Sequence, residues 1–420
     1  MSAPSAGVER RVTAGLRGAS WDPALVPPDM RTTVYPLLTA DGAPVTGYLH
    51  ALGGERAAVF IMHPRELLVS HYLVPSLIDA GYACWVQGAR TVGNDLRLEH
   101  ELAVQDAAAG MVKLKEMGFE RVVMLGNSGG ASLCALYNQQ SLLDPPNRLA
   151  ATPAGRPSKL EAATLPVADG FIFVAPHPGQ GKLLLSMIDP SVTDEADALS
   201  IEPSLYPFSP ANGFRPAAEG GAAYAPEFLT RYRAAQHERV AKIDSYARAL
   251  IRKRMTAKKR LKENAGGDPF QANHACIFQV WRTDADPRCF DLSLDPSDRR
   301  WGSVWGADPL LSNVASVGFA RVCTAESWLS TWSALSSNAS FEQCGAAIEQ
   351  PTLIIQYTGD NSVFPSDIDG IFASIRSGDK LRHKIRGNHH GQSLRLDEPS
   401  GQLLAADICG AWLRDHFPPR

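Results

Sequence analysis

The most informative segment of the sequence is VVMLGNSGG, residues 122–130. Four apolar residues typical of a buried strand lead into a Gly-Asn-Ser-Gly-Gly turn, and the helix-like segment ASLCAL (131–136) follows at once. A chain that turns this sharply needs small residues where the two backbones approach, and the residue at the apex adopts a strained conformation with its side chain exposed. The pattern therefore predicts Ser128 at the apex of a strand-to-helix turn.

Strand-like and helix-like segments alternate on both sides of this turn. The alternation runs from about residue 31 to 176, and it resumes at residue 350 and continues to the C-terminal helix pattern LLAADICGAWLRDHF. Antiparallel strands followed by β-α-β units predict an α/β fold with a mostly parallel central sheet and helices on both faces. We therefore expect a core made of residues 1–176 and 350–420, in which residues 1–30 are an N-terminal extension.

The pattern changes between residues 177 and 349. This segment contains a Pro-rich loop, a long helix pattern that carries a basic run from Arg231 to Lys262, and five of the eight Trp residues. The five are Trp281, Trp301, Trp305, Trp328 and Trp332. An interruption of this size within an α/β core predicts a large, mainly helical inserted cap. The basic run is interpreted as a solvated helix face, with an anion- or partner-binding face as the alternative.

Composition limits the class of protein. Over 420 residues, 45% hydrophobic and 20% charged residues are typical of a soluble globular protein, and a net charge of -3 gives no overall attraction to nucleic acid or to a membrane surface. The seven cysteines lack a Cys-x-x-Cys pair and zinc-like spacing, which predicts free thiols and no metal site. Because no apolar segment resembles a signal peptide or a membrane span, we expect a cytoplasmic location and a small-molecule substrate, with homo-oligomerisation left open.

A serine becomes a strong nucleophile only beside a base that an acid holds in place. Asp360 ends the apolar strand pattern in IIQYTGD, and His389 and His390 lie in RGNHHG, just beyond the last strand pattern. Because the carboxyl ends of parallel strands gather at one edge of a sheet, these segments are expected to meet the serine there. Asp367 and Asp369 are alternative acids, although their position at the start of a helix pattern indicates capping.

The order Ser, Asp, His, with the G-x-S-x-G pattern at residues 126–130, resembles the α/β-hydrolase superfamily. The resemblance covers both core segments and places a cap after the sixth core strand. It implies a serine hydrolase that needs neither a metal nor an organic cofactor, with Ser128 as nucleophile and Asp360 as the acid. The Gly-x-x-His pattern of the family selects His390 in GNHH (387–390) as the base.

The resemblance also implies two backbone N–H donors for the oxyanion that forms during acyl transfer. One is Gly129, directly after the nucleophile, and the other is expected in the loop HPRE (63–66). Pro64 has no N–H, so Arg65 is predicted to supply the second donor. The Arg65 side chain is expected either to bind a substrate carboxylate or to form an ion pair, with Glu66 as the candidate partner.

Further side chains are expected to line the pocket: His63, Asn127, His177, His389, Trp328 and Trp332. For His177 a structural hydrogen-bonding role is the alternative, and for most of the tryptophans the alternative is packing in the cap's own core. The segment HPGQGK (177–182) is not a phosphate loop, because Leu183 replaces the Ser or Thr that would hold magnesium. The resulting prediction is hydrolysis of a carboxylic ester or lactone of a bulky apolar or aromatic molecule. Carbon–carbon hydrolase, amidase, acyltransferase and a non-catalytic binding protein on the same fold stay as alternatives.

Overall fold

The computed structural model describes residues 18–315 and 318–419. Its strands are β1 (Arg31–Leu38), β2 (Pro44–Ala51), β3 (Ala57–Met62), β4 (Ala83–Gln87), β5 (Arg121–Asn127), β6 (Gly170–Val174), β7 (Ile277–Gln279), β8 (Val322–Thr324), β9 (Thr352–Tyr357) and β10 (Lys380–Ile385). Strands β7 and β8 form a small antiparallel pair, and the other eight form the main sheet. Of the predicted N-terminal extension, residues 1–17 lie outside the described residues.

The main sheet has the order β1-β2-β4-β3-β5-β6-β9-β10. Strand β2 is antiparallel to both of its neighbours, and all pairings from β4 to β10 are parallel. Every residue of β3, β4, β6 and β9 is buried, which explains why these strands appear in the sequence as short continuous apolar runs. The mostly parallel sheet is confirmed, and it brings the loops after β3, β5, β6, β9 and β10 to one edge.

Helices cover both faces of this sheet, as predicted. The helices of the described residues, including those of the inserted segment, are α1 (Val74–Asp79), α2 (His100–Glu116), α3 (Gly130–Ser141), α4 (Gln180–Met187), α5 (Pro226–Lys262), α6 (Pro269–Asn273), α7 (Pro309–Val314), α8 (Ala325–Ser327), α9 (Phe341–Gly345), α10 (Pro365–Ser374) and α11 (Gly401–His416). Alternate strand residues point to opposite faces, so Phe60 packs with α2 and α3 while Val59 and Ile61 pack with α1 and α11. Two apolar layers therefore enclose the sheet.

The segment between β6 and β9 contains helices α4 to α9 and the β7–β8 pair. Its longest element, α5, has 37 residues and begins with Pro at its first helical position. Val240, Ile243 and Ala247 of α5 pack with α4 and with the Trp328–Trp332 turn, forming a separate apolar cluster. The long helix predicted around the basic run is thus present, and its buried stripe belongs to this cluster.

Buried and partly buried hydrogen bonds join residues 324–338 of this segment to residues 96–101, which lead into α2. The bonds run from Thr324 Oγ1 to Leu96 O (2.8 Å), from Thr331 Oγ1 to Leu98 O (2.9 Å), from Ser330 Oγ to Glu101 Oε2 (2.6 Å) and from Asn338 Nδ2 to Glu101 Oε1 (2.8 Å). Burial raises the pKa of Glu101, and the hydrogen bonds from Ser330 and Asn338 oppose that rise. We call this set of contacts the α2 anchor.

The described part of the chain contains no helix long and apolar enough to cross a membrane. Within the same residues, no group of three His, Cys, Asp or Glu side chains is arranged to hold a metal ion. All seven cysteines are unpaired and buried.

Candidate active site

Ser128 stands at the apex of a sharp turn between β5, which ends at Asn127, and α3, which begins at Gly130. Its φ angle of 55° lies in the left-handed region that non-glycine residues seldom adopt. The turn needs its flanking glycines: a Cβ on Gly126 would lie 2.6 Å from Ala131 Cα, and one on Gly130 would lie 2.4 Å from Met62 O. The strained turn predicted from the sequence is therefore present.

A histidine and an aspartate are aligned with the Ser128 hydroxyl. His389 Nε2 lies 3.0 Å from Ser128 Oγ, and His389 Nδ1 lies 2.7 Å from Asp360 Oδ2. The aspartate follows β9 and the histidine follows β10, so parallel neighbouring strands supply both. The arrangement places an imidazole where it can accept the serine proton while a carboxylate holds its other nitrogen.

Asp360 is fixed in place by its own backbone contacts. Its Oδ1 accepts hydrogen bonds from the N–H groups of Ser362 (2.7 Å) and Val363 (3.1 Å), which leaves Oδ2 directed at the imidazole. The alternative acid Asp367 accepts from the Phe364 N–H at the start of α10 (3.0 Å) and pairs with Arg288 (3.2 Å). Asp367 thus has the capping position that its place in the sequence indicated.

The structure places His389 beside Ser128, whereas the sequence pattern selected His390, and that selection is corrected. A tight turn explains the difference: Asn388 Oδ1 accepts from the His390 N–H (3.0 Å), and the Gly391 N–H donates to Asn388 O (2.8 Å). Consecutive side chains diverge in this turn. The His390 ring lies against Gly18, where an added Cβ would be 3.0 Å from His390 Cδ2.

A second histidine, His177, lies within hydrogen-bond distance of the Ser128 hydroxyl. It follows β6, and its Nε2 lies 3.0 Å from Ser128 Oγ and 3.3 Å from Ser362 Oγ. Its ring stacks on that of His389, with centroids 5.4 Å apart. Burial, followed by the neighbouring His389, lowers the pKa of His177 well below its usual value, so the ring is neutral. The expectation that His177 faces the pocket is consistent with these contacts.

The loop after β3 differs from its prediction. The Arg65 N–H donates to His63 Nδ1 (3.2 Å), so it is not directed at the reaction centre as a second oxyanion donor. The Arg65 guanidinium pairs with Asp95 (2.6 Å), not with Glu66, and it also lies 5.1 Å from the centre of the Trp332 ring. Asp95 lies thirty residues further along the chain, which local spacing could not reveal.

A cleft adjoins Ser128, with a cavity volume of about 70 Å³ inside about 580 Å³ of space that includes open solvent. Its polar wall includes His63, Asn127, His177, Gln180, Ser362 and His389, and its apolar wall consists of Leu68, Val304, Trp305 and Phe319. Trp328 and Trp332, predicted in the pocket, are instead fully buried in the apolar cluster behind it, and the Trp328 Nε1–H donates to Asp244 (2.7 Å).

Gln180, Ser362 and Phe319 were not identified from the sequence as pocket residues. Gln180 lies three residues after His177, which was expected to line the pocket, so its proximity to the same strand end was the available signal. Ser362 follows Asp360 by two residues. Phe319 carries no such signal, because its place beside Trp305 depends on the folding of a long irregular segment.

Comparisons with known proteins find similar solved structures but no matching sequence family. No protein-family model matches the chain, and no curated protein matches it. Similar structures include the hypothetical protein PA2218 from Pseudomonas aeruginosa (12% identity, TM-score 0.47, 97% of this chain and 100% of that chain) and the esterase domain of a Rhodothermus marinus protein (10%, 0.42, 92% and 99%). The Pyrococcus furiosus esterase Pf2001 is a third (10%, 0.42, 97% and 98%).

At these identities and TM-scores the similarities carry no argument about activity, so the fold is assigned from the chain itself. The strand order β1-β2-β4-β3-β5-β6-β9-β10, the antiparallel β2 and the strained serine between β5 and α3 are the defining features. On these features, the chain has the fold of the α/β-hydrolase superfamily.

Proposed function

We propose that the protein is a serine hydrolase that cleaves a carboxylic ester or lactone through Ser128, His389 and Asp360. The observation that carries the proposal is the pair of hydrogen bonds, 3.0 Å and 2.7 Å long, that joins these three side chains. They come from three loops that are distant in sequence but meet at one edge of the sheet. Such an alignment has a direct chemical use, because it activates a hydroxyl that is otherwise a weak nucleophile.

In the proposed reaction, Ser128 Oγ attacks the acyl carbon while its proton passes to His389 Nε2. Asp360 stabilises the imidazolium, and the Gly129 N–H donates to the oxyanion. His389 then protonates the departing alkoxide, which leaves an acyl group on Ser128. A water molecule gives its proton to His389 and attacks the acyl carbon, and the returning proton on Oγ releases the carboxylic acid.

His177 adds a hydrogen-bond donor to this scheme. A serine hydroxyl has one proton, so if it is donated to His389, the contact with His177 requires an N–H on His177 Nε2. The buried Nδ1 of His177 has no hydrogen-bond partner among the described residues, which agrees with a lone pair there. His177 therefore stabilises negative charge on Oγ, which develops when Ser128 becomes the leaving group in deacylation.

The cleft favours a bulky apolar or aromatic group on the substrate. Trp305 and Phe319 meet edge to face with their centres 5.2 Å apart, and Leu68 and Val304 complete the apolar wall. Pockets of this kind take most of their binding energy from apolar contact, while a few polar groups fix orientation. Here the polar groups are concentrated around Ser128, and the apolar wall faces the rest of the substrate.

The test combines turnover with labelling. We expect hydrolysis of p-nitrophenyl esters and covalent modification of Ser128 by a fluorophosphonate, located by mass spectrometry of the digested protein. A p-nitroanilide with the same acyl group separates esterase from amidase activity. Ser128→Ala should abolish both turnover and labelling. A folded Ser128→Ala protein that keeps more than about a tenth of the activity would contradict the proposal.

A further inference from the structure

The proposed hydrolase has an incomplete oxyanion site if only backbone donors are counted. Gly129 supplies one N–H, and the second would come from the loop after β3. Pro64 has no N–H, while the N–H groups of Arg65 and Glu66 both donate to His63 Nδ1, at 3.2 Å and 3.0 Å. The loop's backbone donors are therefore directed at an imidazole and not at the reaction centre.

These two bonds fix the tautomer of His63. A ring nitrogen that accepts hydrogen bonds carries a lone pair, so Nδ1 is unprotonated and the proton of the neutral ring is on Nε2. Burial, assisted by the nearby positive charge of Arg65, lowers the pKa of His63 well below its usual value. The ring therefore stays neutral with its Nε2–H as a permanent donor, and the two bonds accepted at Nδ1 polarise that N–H further.

The Nε2–H of His63 lies next to Gly129, whose N–H is the first proposed donor. A Cβ added to Gly129 would be 3.0 Å from His63 Nε2 and 2.2 Å from Gln180 Nε2, so only glycine at this position leaves room for the two side chains. Both residues line the cleft together with Ser128. Gln180 is buried at the start of α4, and its Oε1 has no hydrogen-bond partner among the described residues.

We propose that the His63 side chain, through its Nε2–H, is the second donor of the oxyanion site, with the Gln180 amide beside it as a third. The proposal rests on the proposed serine hydrolase function. The two loop N–H groups act through the ring: they hold its orientation and its tautomer, and the ring presents a single donor to the charge that forms on the carbonyl oxygen. His63 is then a catalytic residue, and Arg65 and Glu66 are positioning residues that act through their backbones.

The kinetic test compares an ester with the thionoester of the same acid, because sulfur accepts hydrogen bonds weakly. His63→Phe keeps a ring and removes the donor, so we expect kcat for the ester to fall roughly 10²- to 10³-fold, with a much smaller fall for the thionoester. Gln180→Leu should shift the ester-to-thionoester ratio in the same direction by a smaller factor. The matched control is His50→Phe, which replaces a buried histidine of β2 outside the cleft and should leave the ratio unchanged.

Fluorophosphonate labelling of Ser128 distinguishes a failure of the proposed hydrolase function from a failure of the proposed oxyanion role of His63. If the unsubstituted enzyme is not labelled, the proposed function is wrong. If His63→Phe is folded and still labelled, but loses ester and thionoester turnover by the same factor, the oxyanion role is wrong and the triad stands.

A second measurement does not depend on turnover. In protein labelled with ¹⁵N-histidine, the ring-nitrogen resonances of His63, assigned by their loss in His63→Phe, report the tautomer directly. We expect protonated Nε2 and unprotonated Nδ1. Protonated Nδ1 would overturn the proposal, since that ring could not accept the two loop N–H bonds or offer a donor at Nε2.

Discussion

Replacing each of the two adjacent histidines by Gln, one at a time, tests the assignment of the base. Gln has a volume close to that of His but cannot exchange a proton near neutral pH. His389→Gln removes the contacts to Ser128 Oγ and Asp360 Oδ2, whereas His390→Gln changes a side chain that borders the cleft and packs against Gly18. The two variants should therefore differ strongly in kcat.

The size of the difference follows from what each ring touches. Loss of the base should reduce kcat roughly 10⁴- to 10⁶-fold, which is about 5 to 8 kcal/mol of transition-state stabilisation. The His390 variant should lose less than about tenfold, because the imidazole hydrogen-bonded to Ser128 Oγ and Asp360 is that of His389, so the proton acceptor stays in place. Folding should be affected only modestly by His389→Gln. Asp360 keeps its two backbone hydrogen bonds, so the free energy of unfolding should fall by about 1 to 3 kcal/mol.

The assay is kcat and KM for a p-nitrophenyl ester, with the thermal midpoint and the circular dichroism spectrum of each variant as folding controls. Equal losses in two folded variants would show that the resting distances do not identify the base. A larger loss in His390→Gln would reverse the assignment and would mean that the turn at residues 388–391 rearranges before reaction.

Two further predictions concern the segment between β6 and β9. Trp305→Ala removes part of the apolar wall, so kcat/KM for a bulky aromatic ester should fall by about tenfold or more, while kcat/KM for an acetate ester changes little. Trp328→Ala is the control. It should cost about 3 to 5 kcal/mol of stability and lower the activity towards both esters together. An unchanged bulky-to-small ratio in a folded Trp305→Ala protein would exclude the aromatic wall. Burial raises the pKa of Asp284 to about 6, although Ser303 donates to it. This acid is harder to ionise when folded than when unfolded, so its contribution to stability falls as pH rises from about 4 to 6 and is constant above that. Asp284→Asn should therefore stabilise the protein by up to about 3 kcal/mol more at pH 8 than at pH 4, measured by urea unfolding; a pH-independent difference would contradict this.

The fold could be predicted because its signals are local. Buried parallel strands require short apolar runs, and a strained turn requires glycines at fixed offsets from Ser128, so both leave patterns that the sequence shows directly. The approach of Asp360 to the nucleophile followed from the same logic, since neighbouring parallel strands end at one edge.

The choice between His389 and His390 could not be made this way. Adjacent residues in a loop are separated only by the detailed geometry of the turn, and here that geometry depends on a side-chain hydrogen bond of Asn388 and on the distant Gly18. The prediction that Trp328 and Trp332 line the pocket was wrong for a related reason. Helical spacing showed that Trp328 and Trp332 share a face, but not whether that face is turned to the cleft or to α5.

The proposed oxyanion role of the His63 side chain was not predicted from the sequence, because the expectation considered only backbone N–H groups. The sequence showed that Pro64 lacks an N–H donor. It did not show that the next two N–H groups, those of Arg65 and Glu66, donate to the His63 ring. That arrangement is a matter of side-chain rotation, which no local pattern encodes.

The α2 anchor has a consequence for how substrates reach Ser128. Residues 324–338 are held to the core by several buried or partly buried hydrogen bonds, and two of them end on the buried carboxylate of Glu101. Lifting this part of the segment away would break them together and leave polar groups without partners, so hinge opening during each catalytic cycle is unfavourable. Substrate and product are instead expected to exchange through a passage that side-chain rotations widen, on the timescale of rotamer changes rather than of domain motion. If the proposed function holds, the dimensions of that passage, and not the stability of a closed lid, limit the size of the esters that are hydrolysed.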